Sequence, residues 1–225
     1  QAAVATAVAE GAGGLFFPAG TYIVTRSASN SSSIYLNGLD NLSFVGVGDA
    51  SEIKMSGDGA AGDWDMWRVD DCTYITFRDL LCNGNAAPNN DSDYIRWENV
   101  TMKESPGDGI RFLGNNTYRV EQCQVSMCRF VDSNRSGIAV QRGTGNSVVQ
   151  GCLFSGTSGQ DIDFEPTGNG TLTGWIIDGN VMLPNASGSY SVTMGGFTTD
   201  PLVRSVFSNN VVEGNVQFLS TKGLK

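Results

Sequence analysis

The chain has 225 residues, 14 Lys and Arg against 23 Asp and Glu, and no histidine. Without His there is no Ser-His-Asp triad, no Cys-His dyad and no His-ligated zinc, and a net charge of −9 leaves nothing to neutralise a run of phosphates, which argues against nucleic acid. No apolar run reaches the ~18–20 residues of a membrane-spanning helix, and the opening QAAVATAVAE lacks the basic start of a signal peptide.

With 29 Gly, 18 Asn and 22 Ser among 40% apolar residues, the chain reads as many short strands joined by many turns. Ala2 to Glu10 is a short apolar helix, followed by Gly-Ala-Gly-Gly. Strands are then expected over Leu15–Val24, Ile34–Leu36, Leu42–Val45, Gly46–Gly48 and Ile53–Met55.

From residue 77 a six-residue template recurs: apolar, any, any, then Leu, Val, Cys or Asn, any, apolar. It starts at Phe77, Trp97, Val125, Val149, Ile177 and Phe207, at spacings of 20, 28, 24, 28 and 30 residues. Such windows lack the 3.6 period of a helix and suit period-2 strands bent at a small or polar fourth residue. A further strand follows in the last five repeats: Ile110-Arg-Phe112, Ile138-Ala-Val140, Ile162-Asp-Phe164, Val192-Thr-Met194 and Val216-Gln-Phe218. Gly109 and Gly137 precede two of these, as a tight corner requires.

Two or three short strands per irregular repeat describe a solenoid in which each strand pairs in parallel with its equivalent one coil on, ~4.8 Å away. Inward residues then form files: Phe77, Trp97, Val125, Val149, Ile177 and Phe207 in one; Cys82, Met102, Phe130, Phe154, Met182 and Val212 in another. The fourth template position stacks Cys128 on Cys152 and Asn180 on Asn210, the latter a short amide ladder. The five Cys (72, 82, 123, 128, 152) show no CxxC and no metal spacing, so buried free thiols are expected.

The opening helix, the Gly pair, LFFPAGTY and then LSFVGVGDASEI resemble the start of the pectate-lyase-like superfamily of right-handed parallel β-helices, frequent in phage tailspikes, capsular depolymerases and related polysaccharide-active proteins. The resemblance covers residues 1 to about 55 by motif and the rest by repeat pattern. It implies an all-β fold: a right-handed parallel β-helix over 15–225, with residues 1–14 as an α-helical cap. It also implies a polysaccharide partner, an extracellular or virion location and, because many tailspike β-helices trimerise, a homotrimer. Lys225 stands seven residues after a strand, so the chain is expected to be a segment of something larger or a member of an assembly.

Candidate chemistry centres on Gln160-Asp-Ile-Asp-Phe-Glu-Pro166, where alternation about inward Ile162 and Phe164 puts Asp161, Asp163 and Glu165 on one outer face. Residues two apart on a strand are ~6.5–7 Å apart, near the ~6.5–9.5 Å between the carboxyls of inverting glycosidases. Crowding should raise at least one pKa. Asp163 and Glu165 are thus the expected acid/base pair, with Asp161 or Asp108 as a third carboxylate. A calcium site and a solvated acidic face are the alternatives. Arg111 and Gln141 share the outer files of Asp163 and Glu165, and Arg135 and Arg142 flank the coil between. Seven of the fourteen basic residues fall between Arg96 and Arg142 and none between 143 and 203, so a basic half beside an acidic half is expected to form a groove for a sugar chain with some acidic units, with ordinary surface charge as the alternative.

In Asp63-Trp64-Asp65-Met66-Trp67, Trp64 is the candidate sugar platform, while Trp67 alternates with Val69 and suits the core. The Gly-His-Gly of polygalacturonases and the Asp-His of pectate lyases cannot exist in this chain. No cofactor is required for hydrolysis. A Ca2+-assisted lyase would need Lys103 or Arg111 as base. The expected function is a glycoside hydrolase-like depolymerase, with a non-catalytic glycan-binding spike segment and a Ca2+-assisted lyase as alternatives.

Overall fold

A computed structural model describes residues 2–25, 32–56, 65–84, 87–90, 92–114, 120–165, 172–185, 190–194, 202–218 and 221–222. The backbone of these residues winds as a parallel β-solenoid, with three sheets of eight strands and a fourth of five. One helix, α1 (Ala2–Ala9), packs Val4 and Ala7 into the N-terminal end. The first sheet runs from Gly14–Phe16 to Val206–Ser208, the second from Gly20–Val24 to Val211–Val212, and the third from Ser32–Asn37 to Asn215–Phe218. Every pairing is between a strand and its equivalent in the next coil, and all are parallel.

The inward files form in the expected register. Trp97 pairs with Phe77 and Val125, Met102 with Cys82 and Phe130, and Ile138 with Ile110 and Ile162. Aromatic rings stack along these files, Phe77 on Trp97 with centroids 3.9 Å apart and Phe130 on Phe154 at 4.7 Å. Side chains in register one coil apart pack on one another, which is how so slender a core buries its apolar surface.

The fourth sheet was not foreseen. Its strands, Val120–Glu121, Thr144–Gly145, Leu172–Thr173, Leu202–Val203 and Thr221–Lys222, are two residues long and carry no readable alternation. Gly46–Gly48 is not a strand: Val47 forms only an isolated bridge with Asp49, and the turn folds outward so that Arg129 donates to Asp49.

The bends also differ in detail. The left-handed residue is the third of each template, not the fourth: Asp79, Asn99, Met127, Gly151, Gly179 and Asn209 have φ between 50° and 64°. The fourth position turns inward, and there the amide ladder forms as expected. Asn180 accepts from the Cys152 N–H at 2.9 Å and donates to Val149 O at 3.1 Å and Asn210 Oδ1 at 2.9 Å. All five cysteines are free and buried. Burial and contact with Cys152 push the Cys128 thiol well above its ordinary value.

Candidate functional site

Gly109 and Gly137 are required by space. A Cβ on Gly109 would lie 2.7 Å from the Phe130 ring, and one on Gly137 2.6 Å from Phe154. This corner position therefore points into the core, and Asp161 follows Gly137 in the same register. In its coil the residue paired with Phe154 is Met182, and a side chain fits. Asp161 is accordingly fully buried, which corrects its expected place on the outer face: alternation holds along the strand but not at the corner before it. Its carboxyl lies beside the hydroxyls of Thr157 and Ser191 without good hydrogen-bond geometry, and burial raises its pKa to about 6.

Asp163 and Glu165 do occupy outward positions, paired with Ala139 and Gln141 of the preceding coil. Asp163 is nonetheless only 6% exposed, because the preceding corners carry Asp108 and Arg135 over it. Arg135 Nε lies 3.2 Å from Asp108 Oδ1, and its Nη2 donates to Glu165 Oε2 at 2.8 Å. Gln141 Nε2 donates to the same Glu165 oxygen.

Asp163 is hydrogen-bonded to the Glu165 carboxyl. Burial first, then this bond and the repulsion between the two groups, raise its pKa to about 8 against the pull of Arg135. The expected gap of ~6.5–7 Å is thus corrected: that distance separates backbone positions on a strand, and the side chains lean together across it. Asp108 is pushed upward by burial, opposed by Arg135 and Arg111.

Six of the residues singled out in the sequence therefore converge: Asp108, Arg111, Arg135, Gln141, Asp163 and Glu165. Arg142 is exposed, with φ 34°, at the end of the Ile138–Gln141 strand. Trp64 lies outside the described residues, and Trp67 is core, packed edge-on against Phe44 and Phe77. Lys103 sits on the second sheet, paired with Glu104 at 3.0 Å, whereas Arg111 is on the third.

Among the described residues no group of three or more His, Cys, Asp or Glu side chains is arranged to hold a metal ion. Within the carboxyl cluster the Arg135 guanidinium already stands between Asp108 and Glu165, so the donor set does not fit Ca2+. Neither is any helix among them long and apolar enough to cross a membrane. The cluster thus sets a buried carboxyl whose pKa is raised to about 8, Asp163, beside Glu165 and the Arg135 guanidinium, an arrangement suited to general acid–base chemistry.

Residues 61–223 match the family model described as "Right handed beta helix region". No curated protein matches the chain in sequence. Among solved structures, ORF18 of Geobacillus virus E2 superposes with a TM-score of 0.68 at 14% identity, over 88% of this chain and 40% of that one. A tailspike protein mutant of E. coli bacteriophage HK620, solved with a pentasaccharide, gives 0.54 at 14% identity, over 100% of this chain and 57% of that one. The surface protein and adhesin PfbA of Streptococcus pneumoniae gives 0.50 at 11% identity, over 97% and 83%. The chain thus spans well under two thirds of both phage structures. At these identities the likeness is one of fold.

Proposed function

Because this chain belongs to the right-handed β-helix family, we propose that it acts on carbohydrate, as a glycoside hydrolase-like depolymerase of a bacterial surface or extracellular glycan. The observation that carries the proposal is the Asp163–Glu165 pair, in which Asp163 is buried, Glu165 is held by Arg135 and Gln141, and burial and the neighbouring carboxyl raise the Asp163 pKa to about 8. Asp163 is the general acid that protonates the glycosidic oxygen. Glu165, oriented by Arg135 and Gln141, takes the proton from the attacking water. In hydrolysis the proton leaving Asp163 is replaced by the one Glu165 accepts, so the pair returns to its starting state. The resting contact is tighter than the ~5 Å or ~6.5–9.5 Å of known glycosidase pairs, so the glycosidic oxygen enters by parting the two carboxyls. Asp108 stays paired with Arg135 and keeps that guanidinium in place. Arg111 and Gln141 line the approach.

A reducing-end assay on a panel of capsular and O-antigen polysaccharides tests the proposal. New reducing ends without an unsaturated, ultraviolet-absorbing product support hydrolysis. The absorbing product would indicate a lyase, and no cleavage of any polymer would leave a glycan-binding spike segment.

A virion or otherwise extracellular setting and a homotrimer belong to the same proposal. What supports assembly is a change in the outer faces along the solenoid. On the first sheet the file Thr76, Arg96, Gln124 gives way to Val148, Ile176, Val206, and on the second Thr101, Arg129 gives way to Leu153, Val181, Val211. Of these, Ile176, Val181 and Val211 are exposed and Val148, Leu153 and Val206 half-buried, and exposed apolar side chains gathered in this way suit an interaction face.

A further inference from the structure

The corner that leads into the first sheet is left-handed in every described coil from the second onward. Asn41, Tyr74, Tyr94, Gln122, Asn146, Gly174 and Arg204 stack there with φ between 49° and 68°. Asn and Gly adopt this conformation readily, whereas a bulky aromatic residue does so at a cost. Two coils nevertheless place tyrosine there, and the two rings stack with centroids 4.5 Å apart and planes 19° from parallel. Tyr74 is 52% exposed, and Tyr94 is half-buried beneath it. On the other side of Tyr74 stands the shorter, exposed Asn41, set by the register of Asp40 with Thr73 and Leu42 with Ile75.

Polar groups ring the stack. Asp71 is exposed three residues before Tyr74. Asp40 accepts from the Thr73 hydroxyl, and Asp93 accepts from the Glu121 N–H at 2.7 Å. The nearest basic side chain in sequence is Arg96, two residues beyond Tyr94 on the outer face of the first sheet. The corner is therefore an aromatic face with carboxylates and an amide at its edge, and a net negative surround.

We propose that Tyr74, backed by Tyr94, is a binding ledge for a neutral pyranose, separate from the carboxyl cluster. The C–H face of the sugar lies on the open face of Tyr74, and its hydroxyls donate to Asp71 and accept from Asn41. The surrounding Asp40, Asp71 and Asp93 select against acidic sugars, because a uronate carboxylate would be brought against like charge. Tyr94 supports the upper ring and fixes its tilt. This rests on the glycan reading above, but on different residues from the cleavage step.

The test is isothermal titration with neutral hexasaccharides of glucose, galactose, mannose and N-acetylglucosamine, and with hexagalacturonate as the acidic probe. Tyr74→Asn is the decisive variant, since Asn occupies the same corner at 41 and 146 and satisfies the left-handed backbone. At least one neutral hexasaccharide should bind, with affinity falling about tenfold in Tyr74→Asn and changing less than about twofold in Tyr74→Phe. Asp163→Asn should leave that affinity unchanged. Undiminished binding by Tyr74→Asn, tighter binding of hexagalacturonate than of any neutral probe, or no neutral binding at all would overturn the ledge. If polymer is cleaved but binding ignores Tyr74, the ledge alone fails. If Tyr74-dependent binding occurs and nothing is cleaved, the catalytic reading alone fails.

Discussion

Asp163 and Glu165 lie on the same strand with their carboxyls hydrogen-bonded to each other, and only Glu165 is tied to Arg135 and Gln141. This asymmetry divides the pair into a proton holder and an acceptor of fixed orientation. A buried carboxyl against a second carboxyl ionises only at a cost, so Asp163 should titrate far above the ordinary carboxylate range. Carbon-13 NMR of the side-chain carboxyls is expected to follow Asp163 protonated through neutral pH and titrating near 8. In Glu165→Gln the repulsion is gone and that midpoint should move down.

Arg135 forms ion pairs with both Asp108 and Glu165, at 3.2 Å and 2.8 Å. Its replacement by Met removes the larger of the two guanidinium contributions to the buried Asp108 carboxyl, leaving Arg111, and should cost about 1–3 kcal/mol in urea unfolding. The same change removes the cationic pull of Arg135 on Asp163, so the Asp163 midpoint should rise further. Stability and titration thus move for separate reasons, and both can be read on one variant.

Asp161 gives a stability prediction with a definite sign. Its folded pKa is raised from 3.8 to about 6, so the folded state favours the neutral acid. Its contribution is fully present below pH 3.8 and is lost as pH rises to about 6, where the unfolded chain has ionised and the folded one is following. In urea titrations at successive pH values the wild type should lose on the order of 3 kcal/mol over this window from Asp161. Asp161→Asn should flatten that part of the curve. An unchanged slope would show that Asp161 is not the group responsible.

The interior offers an independent check on the fold. Trp97 is fully buried and stacked on Phe77, and Trp97→Ala should cost about 3–5 kcal/mol. Asn180→Ala removes the side-chain partners of the Cys152 N–H and the Val149 oxygen, while Asn210 Oδ1 keeps the backbone N–H of residue 180, which should cost about 2–4 kcal/mol. Both are measured by chemical denaturation, and neither substitution touches the carboxyl cluster.

The solenoid was legible in the sequence because its inward positions repeat with fixed internal spacing even where the repeat length changes. Phe77, Trp97 and Val125 align by template despite intervals of 20 and 28 residues, since length variation is absorbed in the loops. The carboxyl cluster was legible in part. Asp163 and Glu165 follow from alternation, but Asp161 sits at a corner where alternation ends, and its burial depends on Met182 replacing a phenylalanine one coil on. That Arg135 would bridge Asp108 and Glu165 depends on how two corners lie side by side, which no spacing within one coil encodes. The left-handed corners were missed for a similar reason. Only some carry Gly or Asn, and Tyr74, Tyr94, Gln122 and Met127 adopt the same φ because the strands on either side dictate it.

Whether Asp163 supplies the proton for glycosidic cleavage is read most directly from the rate of reducing-end release by wild type and Asp163→Asn across pH. Wild-type activity should fall as pH rises through about 8, and Asp163→Asn should lose about 100-fold or more, with folding and oligosaccharide binding retained. Full activity in Asp163→Asn, or a wild-type rate that keeps rising above pH 8, would contradict that role of Asp163.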